Sequence, residues 1–152
     1  MAELVSRRQY PVEVDHGGFA LEDADDRHVP VGFPEDFERG VFLSAHPGRL
    51  DFVSAGHTHT ADLIVEVWDA EPPVPSGAWE ESATTGLSCS SGELRARSIT
   101  GGPMPELIPL SDGPGKWSVR VVCAGREALA ALAEEGAVEG VERYVAQFWP
   151  EG

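Results

Sequence analysis

The sequence predicts an all-β protein, an antiparallel β-sandwich or jelly roll of about eight strands with one short helical turn and one short C-terminal helix. Three observations carry that expectation. Gly 17 and Pro 12 in 152 residues cut the chain into brief segments, as turns between short strands require. Within those segments apolar and polar residues alternate at period two, the spacing of a pleated strand. Helical spacing surfaces only in a single turn at 34–40 and in an Ala/Leu stretch at 126–135.

In chain order, Tyr10, Val12 and Val14 alternate with Pro11, Glu13 and Asp15 as a first strand. Pro11 cannot donate to a ladder and so makes this strand an edge or an irregular one. Gly17-Gly18 turns the chain, and Phe19-Ala20-Leu21 opens a second strand, expected to form a hairpin with the first. Glu22-Asp23-Ala24-Asp25-Asp26 reads as a solvated acidic loop. It lacks the ligand spacing and closing Glu of an EF-hand. Pro34 to Gly40 reads as one helical turn pinned by Phe33 and Phe37, and short strands at 41–44 and 50–53 flank the turn His46-Pro47-Gly48.

The central strand is Leu63-Ile64-Val65-Glu66-Val67-Trp68, bracketed by Gly56 and Pro72-Pro73. Leu63, Val65 and Val67 share one face, while Ile64, Glu66 and Trp68 share the other, so most of its length is covered on both sides. Residues 71–77 are too proline-rich to pair. Leu87 and Cys89, then Leu94, Ala96 and Ser98, suggest a hairpin across Ser91-Gly92, and residues 101–115 read as irregular. Trp117, Val119, Val121 and Cys123 face one way in a second central strand. Ala128, Leu129, Leu132 and Ala133 have helical spacing stopped at Gly136, and Tyr144, Ala146 and Phe148 line a last strand ended by Pro150. With no repeat, long linker or second hydrophobic block, one domain over 1–152 is expected, long enough to bury roughly 70% of its unfolded surface.

The formal net charge of −15 argues against nucleic-acid binding, which needs a basic stripe to neutralise phosphates. It equally disfavours an anionic membrane surface. It suits either plain solubility or an electrostatic match to a basic protein partner. The N-terminus lacks the apolar core of a signal peptide and no run approaches the ~18 apolar residues of a membrane helix, so a cytoplasmic protein is expected. Cys89 and Cys123, each inside a strand-like segment, then read as reduced, buried thiols. The tryptophans at 68, 79, 117 and 149 read as core and rim packing.

The one stretch with metal chemistry is His57-Thr58-His59. If the central strand begins that early, both imidazoles lie on one side, and His46 or Asp62 is a candidate third ligand. A cupin places Glu three or four residues after His-x-His, but here six residues precede Glu66. The hydrolase pattern His-x-His-x-Asp-His meets Ala61 and Asp62 instead. Nor is there a nucleophile elbow, a phosphate loop, a Cys–His signature or a dinucleotide fingerprint. The residues therefore indicate neither a cofactor nor an enzyme. A small metal- or ligand-binding β-sandwich centred on His57 and His59 stays as the alternative.

The order of elements resembles the competence J family, the DNA-entry nuclease inhibitors. The likeness runs through the acidic helical turn ending in Gly40, the strand at Leu50-Asp51-Phe52 and the core strand Leu63–Val67. It continues through Leu94 and Ile99 to Gly115-Lys116-Trp117-Ser118-Val119 and Val122-Cys123. The ending Val141-Glu142-Arg143-Tyr144-Val145-Ala146-Gln147-Phe148-Trp149-Pro150 is instead similar to a group of acidic actinobacterial proteins of unknown function, and the Ala/Glu-rich segment 127–139 departs from the inhibitor pattern. The resemblance implies a non-enzymatic inhibitor or immunity-type protein that occludes the basic active site of a nuclease or toxin. On that reading Glu22, Asp23, Asp25 and Asp26, with Glu35, Asp36 and Glu38, form one acidic patch that contacts the partner's arginines and lysines.

Overall fold

In the computed structural model, residues 2–14, 17–24, 42–46, 48–55, 59–89, 91–98, 102–104, 107–111, 115–131 and 139–151 are described. Two sheets face each other. The first has the order β1-β5-β11-β10-β6, formed by Leu4–Val14, His59–Trp68, Glu139–Pro150, Gly115–Ala124 and Glu81–Cys89 respectively. The second runs β3-β4-β2-β7-β8, from Leu43–His46, Arg49–Val53, Gly18–Asp23, Glu93–Ser98 and Gly102–Pro103, with the two-residue β9 (Ile108–Pro109) also on β7. The short helix α1 spans Arg126–Ala131. This is the β-sandwich the residue pattern predicts, with eleven strands among the described residues in place of about eight, because residues 102–103 and 108–109 pair where irregular chain was expected. Among the described residues, no helix is long and apolar enough to cross a membrane.

Alternation explains the core. Leu63, Val65 and Val67 of β5 and Val119, Val121 and Cys123 of β10 are all buried, as are Tyr144, Ala146 and Phe148 of β11. They meet Phe19, Leu21, Leu50 and Phe52 from the opposite sheet. Phe19 stacks on Phe52 with centroids 4.5 Å apart, and Tyr144 sets its ring edge against both, at 5.1 and 5.7 Å. Each such ring removes a large apolar area from water, and the edge-to-face geometry adds a quadrupole attraction. Both strands read as central are interior to the first sheet, and Pro11 lies in an edge strand, where its missing N–H costs no ladder bond. Cys89 and Cys123 are unpaired and buried.

Two expected hairpins do not form. β1 pairs with β5 while β2 pairs with β4 and β7, so the turn at Gly17 carries the chain from one sheet to the other. Likewise β6 pairs with β10 and β7 with β2. Tight turns signal reversal but not partner choice. Here Val12 and Val14, and Phe19 and Leu21, are apolar faces that bury one another across the sandwich. The hairpin at His46-Pro47-Gly48 does form, with His46 opposite Arg49 and Leu43 opposite Phe52. β5 and β11 run parallel, the exception among the described strand pairs, which are otherwise antiparallel. The expected helical turn at 34–40 lies outside the described residues.

The proline-rich loop after β5 is held to the outer face of the first sheet by side chains. Arg120 donates to the carbonyl of Pro72 and to Gln147 Oε1, each at 3.0 Å, and its guanidinium lies 5.3 Å from the centre of the Trp149 ring. Gln147 Nε2 in turn donates to Glu66 Oε1 and to the Pro73 carbonyl. Backbone carbonyls that a strand partner would otherwise satisfy are thus paired by side chains.

Candidate functional site

The most polar place in the interior is built on Glu142. Strand alternation back from Phe148, Ala146 and Tyr144 brings residue 142 to the same inward face, where its side chain has no solvent exposure. An unpartnered carboxylate there would cost several kcal/mol. It is instead saturated. Ser54 Oγ–H and Tyr144 O–H donate to Oε1 at 2.7 and 2.6 Å, and the Ala55 N–H donates to Oε2 at 2.9 Å. Arg126 places a guanidinium nitrogen 3.6 Å from Oε2, donates to the Val53 carbonyl at 3.0 Å and lies over the Phe42 ring.

Local chemistry delivers these groups. β4 ends at Val53, and Ser54 N–H donates to the Gly17 carbonyl at 2.8 Å, fixing the Ser54-Ala55 segment above Glu142. Gly125, at φ +84°, takes the left-handed conformation open to glycine and turns the end of β10 into α1. The Glu80 carboxylate accepts the N–H groups of Arg126 and Glu127, both at 2.9 Å. It thereby satisfies two of the orphan donors at that helix start. Those N–H groups, the Glu127 one foremost, hold the Glu80 carboxyl below its ordinary range against a weaker opposing effect of desolvation.

His59 completes the network. Its Nε2 is 2.7 Å from Ser54 Oγ and 3.7 Å from Glu142 Oε1. Ser54 has one hydrogen and gives it to Glu142, so Nε2 carries the imidazole proton and donates to Oγ. Nδ1 is then a buried lone pair with no partner. Burial lowers the His59 pKa below 6.5, against opposing pulls from the Glu142 charge and the Thr60 backbone, which leaves the ring neutral at pH 7. Burial, and then the Glu142 charge, raise the Tyr144 hydroxyl and push the Cys123 thiol up to about 12. Both are protonated, and Cys123 is no nucleophile.

A serine beside a histidine beside a carboxylate invites comparison with a nucleophilic triad. The connectivity is wrong for it. In a triad the acid holds the histidine nitrogen remote from serine, so that the near nitrogen can accept the serine proton. Here the near nitrogen already carries hydrogen, the remote one meets no carboxylate, and the serine O–H donates directly to the carboxylate. The arrangement clamps the Val53–Ala55 segment, the starts of β5 and α1, and β11 to one another.

A pH dependence follows. The unfolded chain protonates His59 near its ordinary 6.5, while the folded chain resists until a lower pH. The unfolded state therefore binds more protons below pH 6.5, and stability falls as pH drops through that window by at most ~1.4 kcal/mol per unit from this group. Thermal melts between pH 7.5 and 5.5 should show the decline, and a His59→Gln variant should show a shallower one. Equal slopes in both proteins would remove His59 from the account.

The acidic residues singled out in the sequence are dispersed in role. Glu22 and Asp23 belong to strand β2, not to a loop, and are buried. Glu22 stands opposite Arg49 and Arg95 in the ladders, and its two oxygens lie 3.4 Å from Arg49 and Arg97. Arg49 also pairs with Asp51 at 2.8 Å. Asp23 accepts from Ser91 Oγ at 2.5 Å, joining β2 to the turn before β7. The run looked solvated because its cationic partners arrive from strands distant in sequence. Asp25, Asp26, Glu35, Asp36 and Glu38 lie outside the described residues, as does His57. Of the other proposed metal ligands, His46 closes the β3–β4 hairpin through its backbone, and His59 is turned into the Glu142 network. No group of three candidate metal ligands occurs among the described residues.

Glu142 carries no expectation from the sequence. The signal for it was present, since the period-two row of Tyr144, Ala146 and Phe148 extends back to it. The neighbours Glu139, Gly140 and Arg143 interrupt the apolar pattern there.

No protein-family model matches the chain, and no curated protein is significantly similar to it in sequence. Solved structures are similar. ComJ from Bacillus subtilis, an inhibitor of the DNA-degrading activity of NucA, superposes with a TM-score of 0.63 at 13% identity, covering 99% of each chain. The product of crocagin biosynthetic gene J gives a TM-score of 0.60 at 13% identity over 100% of this chain and 99% of its own. The two-sheet architecture described above is therefore the ComJ fold, shared along essentially the whole chain.

Proposed function

We propose that the protein is a non-catalytic binding protein of the inhibitor or immunity type, which covers the basic active site of a nuclease or toxin. The observation that carries this reading is the end-to-end fold likeness to a nuclease inhibitor. The charge of −15 is what such a role asks for, since a nuclease site that holds phosphates attracts an acidic surface and speeds its approach. The Glu142 network supports it too, because the Ser54 hydroxyl and the Glu142 carboxylate are engaged inside the protein. Of the seven acidic residues proposed as contacts, Glu22 and Asp23 serve β2 and its neighbours. Asp25, Asp26, Glu35, Asp36 and Glu38 are the proposed partner contacts.

The test is a plasmid-degradation titration. Purified protein is added to NucA and, separately, to DNA- and RNA-degrading fractions of the source organism's own lysate. At least one activity should stop near one inhibitor per enzyme at low salt and need more inhibitor at high salt, as screening predicts. If no activity slows at large molar excess and low salt, the inhibitor reading falls.

A further inference from the structure

The two sheets end in strands that are protected to very different degrees. An unprotected edge presents unpaired N–H and C=O groups, and proteins normally blunt it with charge, proline or brevity. β1 carries Arg7, Arg8, Pro11 and Glu13. β3 has four residues, while β8 and β9 have two each. β6 is different. It is nine residues long, and from Ser82 to Ser88 it contains neither a charge nor a proline. Among the described residues it pairs on one side only, with β10.

The ladder fixes which backbone groups are free. Glu151 N–H donates to the Lys116 carbonyl at 3.1 Å, so Lys116 and, by alternation, Ser118, Arg120 and Val122 aim their backbone at β11. Trp117, Val119 and Val121 then aim theirs at their β6 partners Leu87, Thr85 and Ala83. Ser82, Thr84, Gly86 and Ser88 are left with N–H and C=O directed away from the sheet. Their side chains are small and exposed, so nothing on the strand shields those groups.

We propose that β6 is the docking edge for the partner, which adds an extended, Lys/Arg-flanked strand to it; this assignment rests on the inhibitor reading. Backbone pairing supplies attachment without demanding a particular side-chain sequence. Charge selects the occupant. Glu81 and Glu151 are both exposed, and Glu151 Oε2 comes within 3.9 Å of where a Cβ at Gly86 would stand. Carboxylates therefore border the first half and the middle of the strand, with Lys116 opposite Ser88 near its other end. A second copy of this chain would bring −15 against −15 and its own Glu151 towards the same strip. A basic strand meets the strip with opposite charge.

The experiment uses whichever nuclease the wild-type protein suppresses in the plasmid assay. Thr84→Pro removes one outward N–H and leaves the β10 ladder intact. It should keep its melting temperature and weaken inhibition by at least about tenfold. Glu81→Lys/Glu151→Lys should also weaken inhibition and flatten its salt dependence. Independently of any variant, the amides of Ser82, Thr84, Gly86 and Ser88 should exchange more slowly in the wild-type complex than in the free protein. Unchanged exchange at these amides, or full inhibition by a folded Thr84→Pro, overturns the edge assignment and leaves the inhibitor reading standing. If the wild type suppresses no nuclease, both fall together.

Discussion

Replacing Glu142 with leucine is expected to destabilise the protein by about 3–5 kcal/mol, the range for removing one partner of a buried charged network. The volume is nearly kept, so little of this is cavity. The loss arises because Ser54, the Ala55 N–H and the Tyr144 hydroxyl all lose their acceptor, and Arg126 keeps its charge in a largely enclosed place. Glu142→Gln retains one acceptor oxygen and the shape, and should lose less, about 1–3 kcal/mol. Urea titrations on both variants, compared at equal m-value, separate the two effects. A Glu142→Leu loss below about 1 kcal/mol would show that the network is dispensable and Glu142 not its keystone.

Gly125→Ala is expected to be comparably severe, at about 3 kcal/mol or more, for two reasons that add. A left-handed φ of +84° strains any residue with a Cβ by roughly 1–2 kcal/mol. The added Cβ would also collide with the Val141 carbonyl, standing 2.8 Å from its carbon and 3.1 Å from Glu142 Cα. That obstacle is strand backbone rather than a flexible side chain, so relief requires moving β11 and the carboxylate it carries. Gly17→Ala is the control, since Gly17 has φ +80° but nothing within 4 Å of the new Cβ. Its cost should be the conformational part alone. Equal losses at the two positions in thermal melts would mean that the contact with β11 is soft.

The two variants probe one place from both sides. Gly125 lets α1 start where Arg126 reaches Val53 and Glu142, and Glu142 gives that arginine its counter-charge. This end of the sandwich is held by specific polar contacts, whereas its middle is held by the Phe19, Phe52 and Tyr144 rings.

The sequence by itself determined the fold class, the two central strands, an edge or irregular strand at Pro11 and the inward rows Leu63-Val65-Val67 and Tyr144-Ala146-Phe148. Each of these depends on short-range physics: side-chain alternation, β-branching and the missing N–H of proline. Only the tertiary structure decided which strands pair, which acidic residues are buried and where the polar interior lies. Gly17 and Ser91-Gly92 announce turns in the sequence, but whether a turn closes a hairpin or crosses between sheets depends on which apolar faces bury each other. Glu22 and Asp23 look solvated until Arg49, Arg97 and Ser91 are brought beside them from other strands. Glu142 meets its partners Ser54 and His59 across more than eighty residues of chain. A buried charge is tolerated only where its partners converge, and that convergence is a property of long-range packing which no local window of sequence contains.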